Sequence, residues 1–302
     1  MISLKNYISL VKPGIIISNS IAAFGGFWIA CISSEKALAG GAFFMAMLSA
    51  MAGTALVMAA GTVYNNYFDR HIDAKMERTK SRASAAGRLS PRSILAYGTL
   101  LGVAGLTLLC TLNVLTALLG FTAFILYAVI YTVWFKRSSV WSTFVGSFPG
   151  AAPPLMGYCA AVGHVDMTAL ILYAIMFLWQ PPHFWAIGIT RKEEYRAAGV
   201  PLLPVVKGNH MTKVSMIRYI ILLVPVTLLL YFYVGLDRLS PLYFISALIL
   251  GFIWIYKSCQ GFKAENDIKW SKSMFQYSLV YFCLLFSIMI VDTFMMAFIF
   301  RG

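Results

Sequence analysis

Residues 65–82, NNYFDRHIDAKMERTKSR, place carboxylates, an amide and a cluster of bases directly after a long apolar run. Asn65, Asp69 and Asp73 recur every four residues. On a helix rising 1.5 Å per residue they form one polar face about 12 Å long. Such a face supplies hard oxygen ligands of the kind Mg²⁺ takes, with water and phosphate oxygens completing its coordination. Arg78 and Arg82 are also four apart and would make a donor pair if their segment is helical. Guanidinium groups grip nonbridging oxygens directionally while a metal stabilises a departing diphosphate, so the stretch suits diphosphate chemistry. A plainer reading uses the same residues: Asp69 and Asp73 balance nearby bases at a solvated membrane edge, and Lys75, Lys80 and Arg88 set topology or touch lipid.

A second polar region, FWAIGITRKEEYRAAGVPLLPVVKG at 184–208, presents Arg191, Glu194 and Tyr195 at i, i+3 and i+4. One helical face can then show a base, a carboxylate and a phenol. Glu193 competes with Glu194 as the inward acid, and an exposed helix end of alternating charge is the alternative for all of them. Gly199 and Pro201 end this helix, the first by permitting unusual backbone angles and the second by removing an amide donor. A shaped loop follows, from which Lys207 can reach an anion or serve topology alone.

Between the two regions, YTVWFKRSS at 131–139 offers Lys136 and Arg137 to a phosphate or carboxylate. Tyr127 and Tyr131, four apart, can turn their faces to developing positive charge or simply pack in the bundle. His183, in LWQPPHFW, can form an internal hydrogen bond, meet a metal-containing substrate or transfer a proton. His71 adjoins the acid stripe, and His164 and His210 fall in loops. Gly146, Ser147, Gly150, Ala151 and Ala152 imply close helix approach, and Pro149, Pro153 and Pro154 imply a bend.

The elements that must hold these groups are membrane helices. Of 302 residues, 60% are hydrophobic and 12% charged, and windows of about 20 apolar residues recur along the chain. The reading is a single all-α polytopic membrane domain over 1–302. About nine spans are expected, near 13–33, 40–64, 94–111, 114–134, 140–162, 167–189, 214–234, 241–257 and 275–299. They surround a central cavity opening toward the cytoplasm, with active-site loops at roughly 65–93 and 190–213. Thr111-Leu112-Asn113 forms the turn between the third and fourth spans. The first span lacks a small-residue cleavage signal and reads as a retained helix.

Charge sets the orientation. With the N-terminus cytoplasmic, 21 of the 24 Lys and Arg residues lie on the cytoplasmic side, and only Lys36, Arg238 and Arg301 lie opposite, where the C-terminus also falls. Sidedness and anionic lipid therefore account for the net charge of +13, and no nucleic-acid partner is expected. The five cysteines are dispersed without a CxxC, which argues against a disulfide scaffold or thiolate metal site. No GxxxxGK[ST] loop or dinucleotide fingerprint occurs. Asp292 lies inside the last apolar window and calls for a polar contact there.

NNYFDRHIDAKMERTKSR matches the Asn-xxx-Asp-xxx-Asp pattern of the membrane aromatic-prenyltransferase superfamily, and the chain resembles that superfamily from VKPGIIISN at 11 through the last span. YTVWFKRSS, GAAPPLMGY, LWQPPHFW and YRAAGVPLLPVVKG resemble its haem-farnesylating branch. The resemblance implies transfer of a farnesyl group from farnesyl diphosphate to haem B, with Mg²⁺ as cofactor and haem as substrate. By it Asn65, Asp69 and Asp73 form the first metal-diphosphate motif, with Arg78 and Arg82 beside it and Glu194, or Glu193 in its place, in the second region. Many members of the family carry Pro where this chain has Ala83, and the second region lacks a clear Asp-xxx-Asp pair. A bacterial inner membrane and transient contact with haem-supply or terminal-oxidase assembly proteins are also implied. A quinone-pathway prenyltransferase and a secondary transporter are the competing functions; the one-sided gathering of acids disfavours the transporter.

Overall fold

In the computed structural model every regular element is helical, and the structure describes residues 4–33 and 40–301. Lys36, expected opposite the active-site loops, lies outside the described residues, as do the first three. A short helix α1 (Leu4–Val11) precedes the long α2 (Pro13–Ser33), α3 (Gly40–Asp73) and α4 (Pro91–Cys110). Next come α5 (Val114–Ile125), a π-helical segment (Leu126–Phe135) and the single turn α6 (Lys136–Ser138). Two half-length helices follow, α7 (Ser142–Gly150) and α8 (Ala152–Val162), then α9 (Met167–Thr190), α10 (Lys192–Ala197) and α11 (Leu203–Val206). The chain ends in α12 (Gly208–Val234), α13 (Pro241–Gln260) and α14 (Asp267–Arg301).

Among the described residues eight helices are long and apolar enough to cross a membrane. Their outward faces carry large apolar side chains such as Leu100, Val103, Leu222 and Phe252, all more than half exposed, which only a lipid solvent tolerates at this density. The chain is an integral membrane protein. The expected fifth span, 140–162, is not continuous: it divides at Ala151 into α7 and α8. Pro149 lies inside α7 and Pro153-Pro154 open α8, so amide donors are missing on both sides of the break.

Small residues let the backbones close up. A Cβ on Gly157 would sit 1.9 Å from the Ala23 carbonyl oxygen, and one on Gly26 would sit 2.0 Å from that of Pro154, so α2 and α8 touch backbone to backbone. The main core joins these helices to α9, α12, α13 and α14 through Trp179, Trp254, Tyr281 and Phe286.

Two ends of the bundle are defined by contacts between loops. At one end Arg238 donates to the Ser33 carbonyl at 3.0 Å, and Asn113, which also caps α5, donates to the Cys159 carbonyl at 2.9 Å. Asp292 finds its partner there: its carboxylate accepts from the Ser240 amide at 2.8 Å and the Ser240 hydroxyl at 2.5 Å, closing the N-terminus of α13. At the other end lie α1, the turns after α3, α6, α10 and α11. There Lys213 and Asn209 of α12 bind the Asp267 carboxylate at the start of α14.

Candidate active site

Helix α3 runs unbroken past Tyr64 to Asp73, so the four-residue spacing becomes one polar face, as the sequence implies. Asn65, Asp69 and Asp73 are all buried. The Asn65 amide nitrogen donates to Asp69 Oδ2 at 2.8 Å and to Thr132 Oγ1 at 3.0 Å. Thr132 spends its own proton on the Tyr127 carbonyl at 2.7 Å. It can therefore only accept from Asn65, which fixes the amide with Oδ1 on the other side. That Tyr127 carbonyl is five residues back, the register of the π-helical segment, and the wider turn is what presents Thr132 to α3.

Cations surround the acids. Lys136, at the end of the π-helical segment, pairs with Asp69 Oδ2. Arg137 approaches Asp69 Oδ1 to 3.7 Å and donates to the Phe68 carbonyl at 2.7 Å. Arg82 donates to Asp73 Oδ2 at 2.8 Å. The segment after Asp73 folds as successive turns, with Thr79 donating to the Asp73 carbonyl at 2.9 Å, rather than as the helix assumed in pairing Arg78 with Arg82. Arg82 turns in onto Asp73 while Arg78 is exposed. Lys75 is exposed, and Lys80 is tied to Glu77 at 2.7 Å.

The sequence reading gave Lys12 only a topological role, yet its Nζ donates to Asn65 Oδ1 at 2.6 Å. Burial, with the charges of Arg82 and Lys136, pulls this ammonium down to about 7 against the opposing pull of Asp69 and Asp73. Lys12 has φ of +53°, the left-handed region that costs a non-glycine residue about 1–2 kcal/mol. The available signal was a lysine wedged between two helices and followed by proline, in the stretch VKPG.

The second polar region is joined to the first by apolar packing. Met76, Ala198 and Val200 form a buried cluster with Ile72, Tyr195 and Leu202 around it, so the turns after α3 rest on α10 and the loop behind it. Gly199, with φ of +72°, makes the reversal after α10. Within α10, Glu193 is exposed and paired with Arg196, whereas Glu194 is half-buried and accepts from Arg191 at 2.8 Å. Lys207 is exposed at the end of α11, and His71 and His210 are exposed at the same end.

Tyr127 and Tyr131 stack with ring centroids 5.7 Å apart. A Cβ on Gly61 would come within 3.1 Å of the first ring and one on Gly146 within 2.9 Å of the second, so glycines on α3 and α7 seat the pair. His183 lies between α9 and α14 with Nδ1 2.7 Å from Ser278 Oγ. Ser278 Oγ also lies 2.6 Å from the Phe275 carbonyl, so the imidazole is held in a local hydrogen-bond network between the two helices. Its ring neighbours are Trp179, Phe184 and Phe275, none of them in the acid cluster. The internal hydrogen bond considered from sequence is the contact present.

Two carboxylate oxygens have unused capacity: Asp69 Oδ1 and Glu194 Oε2 are buried without a hydrogen-bond partner. Buried anionic oxygens of this kind suit a hard divalent cation. Among the described residues no three His, Cys, Asp or Glu side chains converge as a cage. That donor set fits Mg²⁺, which binds one or two carboxylates and draws its other ligands from water and substrate phosphate.

Residues 21–280 match the UbiA prenyltransferase family. Protoheme IX farnesyltransferase 1 of Bacillus subtilis (strain 168) is 69% identical over 295 residues, covering 98% of this chain and 92% of the relative. Among solved structures, digeranylgeranylglyceryl phosphate synthase superimposes with a TM-score of 0.78 at 20% identity, over 97% of this chain and 99% of that one. A UbiA homolog from Archaeoglobus fulgidus bound to DMAPP and Mg²⁺ superimposes with a TM-score of 0.63 at 15% identity, over 94% of this chain and 99% of that one. These two likenesses concern the fold, which is the one built above from the helices and their breaks. With the family match running from within α2 to within α14 and the acid face inside it, the chain belongs to the UbiA prenyltransferase family.

Proposed function

We propose that the chain transfers the farnesyl group of farnesyl diphosphate to a vinyl group of haem B, with water supplying a hydroxyl, to give haem O and diphosphate. The observation that carries the reaction class is the buried Asn65, Asp69 and Asp73 face ringed by bases. The substrate pair follows from the 69% identical farnesyltransferase. The A. fulgidus family member bound to DMAPP and Mg²⁺ supports a metal-diphosphate site of this kind. We assign the acid end to the cytoplasmic face of a bacterial inner membrane, because the bases gather in its loops.

Asn65, Asp69 and Asp73 would hold Mg²⁺ on the substrate side, with Glu194 as the acid of the second region. When bound, the metal polarises the diphosphate and offsets the charge it gains on leaving. Lys136, Arg82 and Arg137 add fixed positive charge where that oxygen charge grows. The farnesyl C1–O bond breaks with its electron pair going to diphosphate. The stacked faces of Tyr127 and Tyr131 stabilise the allylic positive charge left behind. C1 then bonds to the terminal vinyl carbon of haem B; the charge passes to the carbon next to the porphyrin ring, where water adds and loses a proton.

The farnesyl chain contributes less to binding than its size suggests. Burial from water is worth about 0.8 kcal/mol per CH₂, but a tail already in lipid gains only the difference between lipid and protein. The pocket then acts chiefly through orientation and exclusion of water. Purified protein in lipid, given haem B, farnesyl diphosphate and Mg²⁺, should form haem O and release one diphosphate per haem O. Prenylation of a phenolic quinone precursor in place of haem would overturn the assignment of the acceptor.

A further inference from the structure

We propose that Lys12 is a diphosphate-binding residue, delivered to the site by the N-terminal helix and held on Asn65 until the substrate arrives. The inference rests on the proposed function and deepens it. Three contacts with α3 lock the 10–12 segment: Asn66 donates to the Leu10 carbonyl at 2.8 Å, Thr62 to the Val11 carbonyl at 2.9 Å, and Lys12 itself to Asn65 Oδ1 at 2.6 Å. Behind it, Leu10 is buried with Val63, Ala83, Leu89 and Ile94, which docks α1 on α3, α4 and the turn between them.

The Lys12 carbonyl meanwhile accepts from the Ile15 amide at 3.0 Å, so the residue starts α2 as it ends α1. A left-handed residue followed by proline and held from both sides has little freedom left in its backbone. The side chain is held by one hydrogen bond, to Asn65, and it ends on the ligand face.

Charge gives the reason for a move. Arg82, Lys136 and Arg137 are three cations gathered on two buried carboxylates, Asp69 and Asp73, and the Lys12 amine lies beside them on Asn65. The cluster therefore carries an excess of positive charge that an anion would neutralise, and a diphosphate brings it. The Asn65 amide is already oriented with Oδ1 toward Lys12, so Lys12 holds the oxygen that Asn65 would offer a metal. A phosphoryl oxygen arriving with the metal offers the ammonium a stronger, charged acceptor in place of a neutral amide. Lys12 would then release Asn65 and bind the diphosphate.

Binding of farnesyl thiolodiphosphate, an analogue that does not ionise, tests this with Mg²⁺ and no haem, on full-length protein in nanodiscs. Lys12→Met should weaken binding about 10- to 100-fold, the scale of a hydrogen bond between charged groups, while Lys12→Arg stays within about threefold. Farnesol, which has the tail without the diphosphate, should bind wild type and Lys12→Met alike. Undiminished analogue binding by Lys12→Met would overturn the proposal, and so would an equal loss of farnesol binding, which marks a structural role. If wild type binds the analogue through Lys12 yet makes no haem O, the acceptor assignment fails and the role of Lys12 survives. If wild type does not bind the analogue, both fall.

Discussion

The Asn65 side-chain amide donates to Asp69 Oδ2 across 2.8 Å, one helical turn apart on α3, and Lys136 binds the same oxygen from a different helix. Asp69 Oδ2 is thereby saturated by the protein, and Oδ1 is left without a hydrogen bond. One carboxylate is thus split into an anchored oxygen and an oxygen available to a cation. The anchored half explains how a charge can be buried in a membrane helix end; the available half is what the proposed chemistry uses.

The two adjacent glutamates should behave differently. Glu193→Gln removes an exposed ion pair with Arg196 and should leave kcat/KM within about twofold, since such pairs are worth about 0–1 kcal/mol. Glu194→Gln removes the half-buried acid with a free oxygen and should lower kcat/KM about 10-fold or more at limiting Mg²⁺, with partial recovery when Mg²⁺ is raised. Steady-state haem O formation across a Mg²⁺ series reads both. Equal activity of the two variants would contradict the assignment.

The stacked tyrosines give a graded expectation. Cation-π stabilisation of about 0.5–2 kcal/mol corresponds to about 2- to 30-fold in rate. Tyr131→Phe keeps the ring and should retain kcat, whereas Tyr131→Leu should lower kcat by that factor with little change in KM. Gly146→Ala places a Cβ 2.9 Å from the Tyr131 ring and should push kcat in the same direction without touching the ring itself. Single-turnover measurements separate this loss from slower product release.

Asp292 should matter for stability alone. Asp292→Ala strips partners from both the Ser240 amide and its hydroxyl, at about 1–3 kcal/mol for the groups left unsatisfied. Because the contact is at the end of the bundle away from the acids, Tm in detergent should fall by several degrees with kcat/KM unchanged. Ser240→Ala should produce a smaller fall.

Much of the site was legible because it lies on one helix. Asn65, Asp69 and Asp73 share a face through the helical period alone, and α3 keeps that period to its last residue. The break in the expected fifth span was foreshadowed by Pro149, Pro153 and Pro154, though its division into two helices depends on where the missing amides fall. Pairing Arg78 with Arg82 at i and i+4 presumes a helix, and the segment after Asp73 folds as turns held by Thr79.

Other features depend on tertiary contacts that no local spacing encodes. Glu194 turns inward and Glu193 outward because α10 is a new helix after Arg191, and its rotation is set by packing of Tyr195, Ala198 and Val200 on Met76. The π-helical segment that brings Thr132 to Asn65 is about as apolar as the α-helix before it. Lys12 resembles any basic residue at a membrane boundary until α1, absent from the expected spans, docks and turns it inward.

The central claim is that Asp69 offers an oxygen to the metal of a metal-diphosphate complex. It is tested most directly by haem O formation of Asp69→Asn against wild type over a Mg²⁺ titration, with matched amounts of membrane-inserted protein. Asparagine keeps the shape and loses the charge, so turnover should fall at least about 100-fold at every Mg²⁺ concentration while insertion is preserved. Turnover equal to wild type throughout the titration would contradict the account.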